Sequence, residues 1–487
     1  MSATLLFSIV LLYFAVLLIV AWRTSRNSNN ESFFIGNRNS NWMLVAFGMI
    51  GTSLSGVTFV SVPGTVGASN FAYLQVVIGY FIGYFIVAYI LLPLYYRLNL
   101  TSIYHYLEQR FGPVAHKTGS LFFIISRTLG ATARLYLVIN VLQLFILDSL
   151  HVPFWLTTFI ILLMILLYTF EGGVKTIVFT DTLQTSFMLL GLVICIFYIM
   201  DALHFSFSDT MAALNAKGYT EVFNTDVNSG GFWLKQILGG AFITVGMTGL
   251  DQEMMQKNIS VKNLKDSQKN MMTFSTVMVL VNLLFLMLGG LLYVFAESNQ
   301  IGIRGDDLFP TIALSYLPPA ISIIFIIGLI SALFPSADGA LTALTSSFCI
   351  DMLGLKKRTD LTEKQQKRTR MSVHLTLTVI FFLCVMIFKW IDNKSIIDII
   401  LKIAAYTYGP LLGLFAFGIL TKRIVRQGIA TLIVCLAAPV LCYILSENAV
   451  HWFGGFQIGI ELLIINAGIT FLGLWLISKE GPAVTTR

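Results

Sequence analysis

The chain has 487 residues, of which 56% are hydrophobic and 11% charged, and its mean hydropathy is +0.82. Soluble domains carry about 45–50% apolar and about 25% charged residues, so this composition excludes a soluble globular protein and points to a polytopic membrane protein. The net charge of +7 does not point to nucleic acid, because the basic residues fall in short loops between apolar segments, where they set topology.

A helix needs about 20 apolar residues to cross roughly 30 Å of hydrocarbon. Thirteen such segments follow one another, at 3–22, 41–66, 71–97, 118–147, 152–170, 176–200, 232–255, 271–296, 311–350, 371–390, 395–420, 427–446 and 458–478, which predicts an all-α fold. The first has no basic residue before it, Arg23 and Arg26 after it and no small-residue cleavage site, the reverse of a signal peptide, so it is expected to stay as a helix. Alternate loops carry the Lys and Arg residues: Arg23, Arg26 and Arg38; Arg97, Arg110 and Lys117; Lys175; Lys257, Lys262, Lys265 and Lys269; the run 356–370; Lys422, Arg423 and Arg426; and Lys479. The positive-inside rule then places the N-terminus outside and the C-terminus in the cytoplasm, as an odd number of spans requires. The longest stretches between spans, 201–231 and 353–370, are loop-sized, so 1–487 reads as one transmembrane domain. Cys195, Cys349, Cys384, Cys435 and Cys442 lie in apolar segments without CxxC spacing, which indicates neither a disulfide framework nor a zinc site.

Within these spans a few residues break the apolar pattern. In 41–66 the run Gly51-Thr52-Ser53-Leu54-Ser55-Gly56 is a poor helix former, and an unwound backbone there would offer carbonyl oxygens to a bare cation. In 118–147, Arg127 and Arg134 share a helix face, and Arg134 lies near the middle of the span. A guanidinium at that depth must face water or an anion, and its planar fork suits a carboxylate. That carboxylate belongs either to a substrate or to the protein itself, at Asp181 or Asp338. Asp181 is the one carboxylate within 176–200, where it costs a few kcal/mol, so it reads as a site for an ion, a proton or a substrate.

Gly239-Gly240 and Gly246-Met247-Thr248-Gly249 interrupt 232–255 before Asp251-Gln252. Two glycine-interrupted segments five spans apart point to an inverted repeat with a site at the midplane, although small residues also serve close helix packing. In 311–350, Ser331, Pro335, Asp338, Thr342 and Thr345 share one face. Pro335 lacks an N–H, which frees the carbonyl of Ser331. In 395–420, Lys402 is expected to snorkel to the outer surface, Tyr406 and Tyr408 to line or gate the outer path, and Gly409-Pro410 to form a hinge. His105, His116 and His451 fall in loops or at interfaces and suggest no role.

The segment 171–184, EGGVKTIVFTDTLQ, resembles the GG…TDxxQ signature of the sodium/solute symporter family. Asp251-Gln252-Glu253-Met254-Met255-Gln256-Lys257 is similar to that family's DQxxxQR, and 331–351 (SALFPSADGALTALTSSFCID) to its small, hydroxyl-rich helix ending in an acidic residue. The resemblance implies a five-plus-five inverted-repeat core, here 41–420, with unwound segments in 41–66 and 232–255, flanked by 3–22 and by accessory helices across 427–478. It further implies a sodium ion held by the carbonyls of Gly51, Leu54 and Ala332 and by Ser336, the hard oxygen ligands such a cation prefers.

Two residues depart from the family pattern. Pro335 stands where relatives usually carry a hydroxyl, and Asp338 where they carry a small residue. The expectation is that Asp338 supplies a charged oxygen beside an ion position that depends on Asp181. The alternatives are a kink carboxylate satisfied by local N–H groups, or a proton site. Ser55, Thr58, Phe71, Gln75 and Arg134 are nearest in type and spacing to the substrate residues of the bacterial sialic acid symporter branch. The implied function is sodium-coupled symport of a carboxylated sugar such as sialic acid, or another organic anion, by alternating access. A neutral sugar, amino acid or other small solute, coupled to sodium or protons, is the alternative. Na+ is then the coupling ion, with no organic cofactor, no nucleic-acid partner, lipid around a monomer or weak oligomer, and a place in the bacterial inner membrane. An enzyme would need a converging nucleophile or metal motif such as HExxH, and the sequence has neither.

Overall fold

In hydrocarbon the backbone has no water to bond, so apolar segments of this length close their hydrogen bonds as helices. The computed structural model describes residues 3–24, 34, 38–358, 360–391, 396–425 and 428–480, without the side chains of residues 170–173, 175, 396 and 397. Arg26, Lys394 and Arg426 lie outside the described residues, as do the side chains of Glu171, Gly172, Gly173 and Lys175 in the family signature.

The helices run as α1 (Ala3–Thr24), α2 (Trp42–Ser53), α3 (Gly56–Ser69), α4 (Tyr73–Arg97), α5 (His105–Phe111), α6 (Pro113–Leu142) and α7 (Phe154–Ala202). They continue as α8 (Phe207–Ala216), α9 (Trp233–Thr244), α10 (Gln252–Ile259), α11 (Leu264–Ser298), α12 (Pro319–Ser347), α13 (Glu363–Ile391), α14 (Ile396–Leu420), α15 (Ala430–Trp452) and α16 (Leu462–Ile477). Among the described residues nine helices are long and apolar enough to cross a membrane, ten if α2 and α3 count as one bent span. Phe154–Thr169 and Leu462–Ile477 are shorter apolar helices, and the predicted spans 152–170 and 176–200 form one continuous helix, α7.

Three boundaries differ from the sequence expectation. The predicted span 311–350 begins later, at Pro319, because Pro318-Pro319 cannot continue the π turn Ile312–Tyr316, which ends at the extended Leu317. The pair Gly239-Gly240 does not interrupt its helix. Instead α4 and α9 pack there almost backbone to backbone: a Cβ on Gly79 would stand 2.8 Å from the Ala241 amide, and one on Gly240 would meet the Val76 carbonyl. The interruption comes further on, where Val245–Gly249 forms a widened π turn and Asp251 leaves helical geometry. Lys257, expected in a cytoplasmic loop, sits on the re-started helix α10 with 2% exposure.

α2 and α3 meet at 55°, with Leu54 and Ser55 outside helical geometry between them. The last carbonyls of a helix have no intrahelical donor. Here Leu54 N–H takes the Ile50 carbonyl, and Gly51 heads the remainder. α12, buried along almost its whole length, packs against α7, α6 and α2, and so brings its polar face to this break.

Candidate ion and substrate site

The break exposes Ser55 and Thr58 to a cavity of about 100 Å³, completed by Tyr73, Tyr80 and Tyr84 of α4, Thr244 of α9, Thr248 and Arg134 of α6. Tyr73 and Leu401 also border a vestibule of about 680 Å³ lined by Gln75, Glu221, Asn224, Gln236 and Asp398. Ser55, Thr58 and Arg134 are thus brought together, whereas Gln75 lines the vestibule and Phe71, 5% exposed, lines neither space. Arg134 has no hydrogen bond or ion pair with any described residue, so neither Asp181 nor Asp338 serves it. Arg127, one face-repeat earlier, is paired with Glu253 and lies 3.9 Å from Asp251.

Below the cavity lies a buried charged network. Lys257 Nζ bonds Asp181 Oδ2 at 2.7 Å and Thr52 Oγ1 at 2.6 Å, and lies 3.5 Å from Glu253 Oε1. The Tyr408 hydroxyl donates to Asp251 Oδ2 at 2.7 Å, and the Tyr168 hydroxyl to Asp338 Oδ2 at 2.7 Å. The Gly339 amide donates to Asp338 Oδ1 at 2.5 Å, and a Cβ on Gly339 would stand 3.3 Å from Glu253 Cγ, so α12 and α10 touch there. Taking a charge out of water costs several kcal/mol, which explains why these groups occur as bonded partners. Yet four carboxylates, Asp181, Asp251, Glu253 and Asp338, are touched by only two cations, Arg127 and Lys257, among the described residues. Asp181 Oδ1, Thr342 Oγ1 and both amide atoms of Gln184 are buried without a hydrogen-bond partner. Orphaned buried oxygens beside carboxylates suit a cation.

Of the residues expected to hold sodium, Gly51 faces the Asp181 stretch of α7, where a Cβ would stand 3.6 Å from the Asp181 carbonyl. Thr182 and Thr185 on α7 donate to the Leu44 and Phe47 carbonyls at 3.2 and 3.0 Å, which holds the Asp181 face of α7 against α2. Gly48 permits that approach, since a Cβ there would lie 3.2 Å from Asp181 Cβ. On α12, Ala332 is fully buried, Ser336 Oγ donates to the Leu333 carbonyl at 2.8 Å, and Ser331 Oγ bonds the Tyr13 hydroxyl at 2.7 Å. Tyr408, bound to Asp251, lines neither the cavity nor the vestibule, and Tyr406 packs its ring against Tyr443 of α15.

At the end opposite the vestibule, hydrogen bonds among the described residues tie the elements together. Tyr95 and Tyr104 donate to the Gly249 and Leu250 carbonyls at 2.7 and 2.9 Å. Gln252 bonds the Thr101 carbonyl at 2.9 Å and accepts the Ile103 amide at 3.0 Å, clamping the segment before α5. Glu253 and Lys257 belong to the DQxxxQR-like segment, but the sequence assigned neither a place in the site, although their i, i+4 spacing behind Asp251 was visible.

The sodium:solute symporter family model matches residues 33–434. The chain is 23% identical over 432 residues to a sodium/sialic acid symporter of Proteus mirabilis, covering 84% of this chain and 83% of that one. It is also 23% identical over 483 residues to a sodium/sialic acid symporter of Aliivibrio fischeri, at 94% and 90% coverage. The solved substrate-bound outward-open structure of a Na+-coupled sialic acid symporter shares its fold, with a TM-score of 0.83 at 18% identity over 98% of this chain and 99% of that one. The matched model, the shared fold and the buried ionisable network lead to one conclusion: the chain belongs to the sodium:solute symporter family and is a sodium-coupled secondary symporter of the membrane, not an enzyme.

Proposed function

We propose that the transported solute is a carboxylated sugar of the sialic acid class, carried across the bacterial inner membrane with the N-terminus outside and the C-terminus in the cytoplasm. The observation that carries this reading is Arg134, whose guanidinium lines the cavity beside Ser55 and Thr58 with no ion pair or hydrogen bond to an anion among the described residues. Arginine binds carboxylate bidentately, and the two hydroxyls suit a polyhydroxylated ring. Gln75 stands on the way in from the vestibule. The names of the relatives support the same solute class.

Sodium is proposed to bind at the α2–α3 break against α12, through the carbonyls of Gly51, Leu54 and Ala332 and the hydroxyl of Ser336, with Asp181 and Asp338 supplying negative charge nearby. This assigns the repeat core to 41–420 and leaves α1, α15 and α16 as accessory helices. The vestibule would admit both ligands while the network around Arg127, Glu253 and Tyr408 keeps the other end shut. Coupling then requires sodium to favour the state in which the cavity is formed, because a ligand shifts an equilibrium only by its differential affinity.

The test is thermal unfolding of the purified protein with N-acetylneuraminic acid, glucose and proline, each with and without sodium. The expected result is stabilisation by the sialic acid alone, and only in sodium, since a ligand at about 100 times its Kd adds about 2.7 kcal/mol. Stabilisation by a neutral solute instead would overturn the carboxylate reading. Asp338→Asn is expected to raise the sodium concentration for half-maximal uptake about tenfold, within the usual range of coupling energies. An unchanged sodium dependence would remove Asp338 from the ion path.

A further inference from the structure

Outside the transport path, at the end of the bundle opposite the vestibule, three metal-ligating side chains converge. His105 opens α5, Glu108 follows one turn later and His116 lies in the first turn of α6. His105 Nδ1 is 3.1 Å and His116 Nδ1 is 3.4 Å from Glu108 Oε2, and the three ligand atoms all lie within 4.8 Å of one another. Tetrahedral zinc with bonds of about 2.0–2.1 Å sets its ligand atoms about 3.3 Å apart, which matches the two contacts made by Glu108.

The hydrogen bonding selects a cation for the centre of this group. His116 Nε2 is 2.9 Å from Asp351 Oδ1, and Asp351 also accepts Ser102 Oγ at 2.8 Å and Ser347 Oγ at 2.6 Å. A carboxylate held in this way takes the N–H of the imidazole and leaves the other ring nitrogen as a lone pair, the arrangement that orients metal-binding histidines. The second ring nitrogen, Nδ1, faces Glu108 Oε2 at 3.4 Å, a buried oxygen without a hydrogen-bond partner. Lys357 Nζ bonds the other oxygen, Oε1, at 2.6 Å from a side chain that is 65% exposed, so it buttresses the carboxylate without filling the space between the ligands.

We propose that His105, Glu108 and His116 bind a divalent transition ion of the zinc type, with a water in the fourth position, and that the ion fastens this end of the bundle shut. Two imidazoles and a carboxylate suit zinc rather than calcium or magnesium, which prefer oxygen ligands alone. The clamp spans α5 and α6 directly and, through Asp351, the segment that extends α12. Zinc is therefore an inhibitor of transport. That consequence rests on this end opening during the cycle, whereas the binding itself does not.

Equilibrium dialysis of the untagged full-length protein against buffered Zn2+ is expected to give one saturable ion per chain, and Co2+ in its place the visible absorption of a tetrahedral site. His105→Ala and Glu108→Gln should each weaken zinc binding at least tenfold. Both variants should keep zinc-free, sodium-driven uptake, which also reports that they fold, and should lose inhibition by Zn2+. Absence of saturable binding, or binding unchanged in both variants, would overturn the site. Binding without inhibition would leave the metal in place and overturn the clamp.

Discussion

Arg134→Ala is expected to weaken binding of a carboxylated substrate by about thirtyfold or more in saturating sodium while leaving the thermal unfolding of the ligand-free protein unchanged. Truncating one partner of a buried, hydrogen-bonded charge pair costs about 2–5 kcal/mol, and about 1.4 kcal/mol is tenfold in affinity. The stability half of the result follows from the cavity: among the described residues no carboxylate forms an ion pair with Arg134, so its removal strands no bonded partner. Arg134→Lys keeps the charge but not the planar fork and should fall between wild type and alanine. Equilibrium binding of labelled N-acetylneuraminic acid checks both variants. Equal affinity in all three proteins would sink the proposed role of the guanidinium.

The opposite pattern is expected for Lys257→Met. Its Nζ holds Asp181 at 2.7 Å and stands 3.5 Å from Glu253, with 2% of the side chain exposed. Removing one partner of such a pair strands the other charge, at a cost of about 3–5 kcal/mol. The midpoint of unfolding in detergent should fall by several degrees, about 2–4 °C for each kcal/mol even in a domain half this size. Adding Asp181→Asn should recover most of the loss, because it removes the stranded carboxylate. A single variant as stable as wild type would show that the pair is not structural. The two substitutions together separate a cation kept for the substrate from one kept for the protein.

How legible the site was in the sequence depended on what surrounds each residue. Arg134 and Asp181 stood out because each interrupts a long apolar run, where a charge has no inexpensive structural explanation. The break at Leu54 and Ser55 was visible for a related reason, a cluster of Gly, Ser and Thr inside otherwise good spanning sequence. Lys257 was not. Counting basic residues assigns any lysine beyond an apolar run to a loop, and nothing local says that a helix re-starts after Asp251 and buries its two turns. Gly239-Gly240 misled for the converse reason, since glycine marks close backbone approach as readily as unwinding, and only the neighbouring helix, here Val76 on α4, decides which. The start of α12 could have been found, because Pro318-Pro319 is a helix-opening signal placed after a segment that the hydropathy alone had fused to it. His105, His116 and Glu108 had no visible spacing rule, because His116 belongs to the next helix and Asp351 comes from far along the chain.

The bond between the Tyr13 hydroxyl and Ser331 Oγ ties α1, a helix otherwise largely turned toward lipid, to the stretch of α12 just before Pro335. A hydrophobic helix adjusts its tilt to the thickness of the bilayer at a small cost per ångström. Tilting α1 must therefore either break this contact or carry Ser331 with it, which makes bilayer thickness a mechanical input to the helix proposed to face the ion.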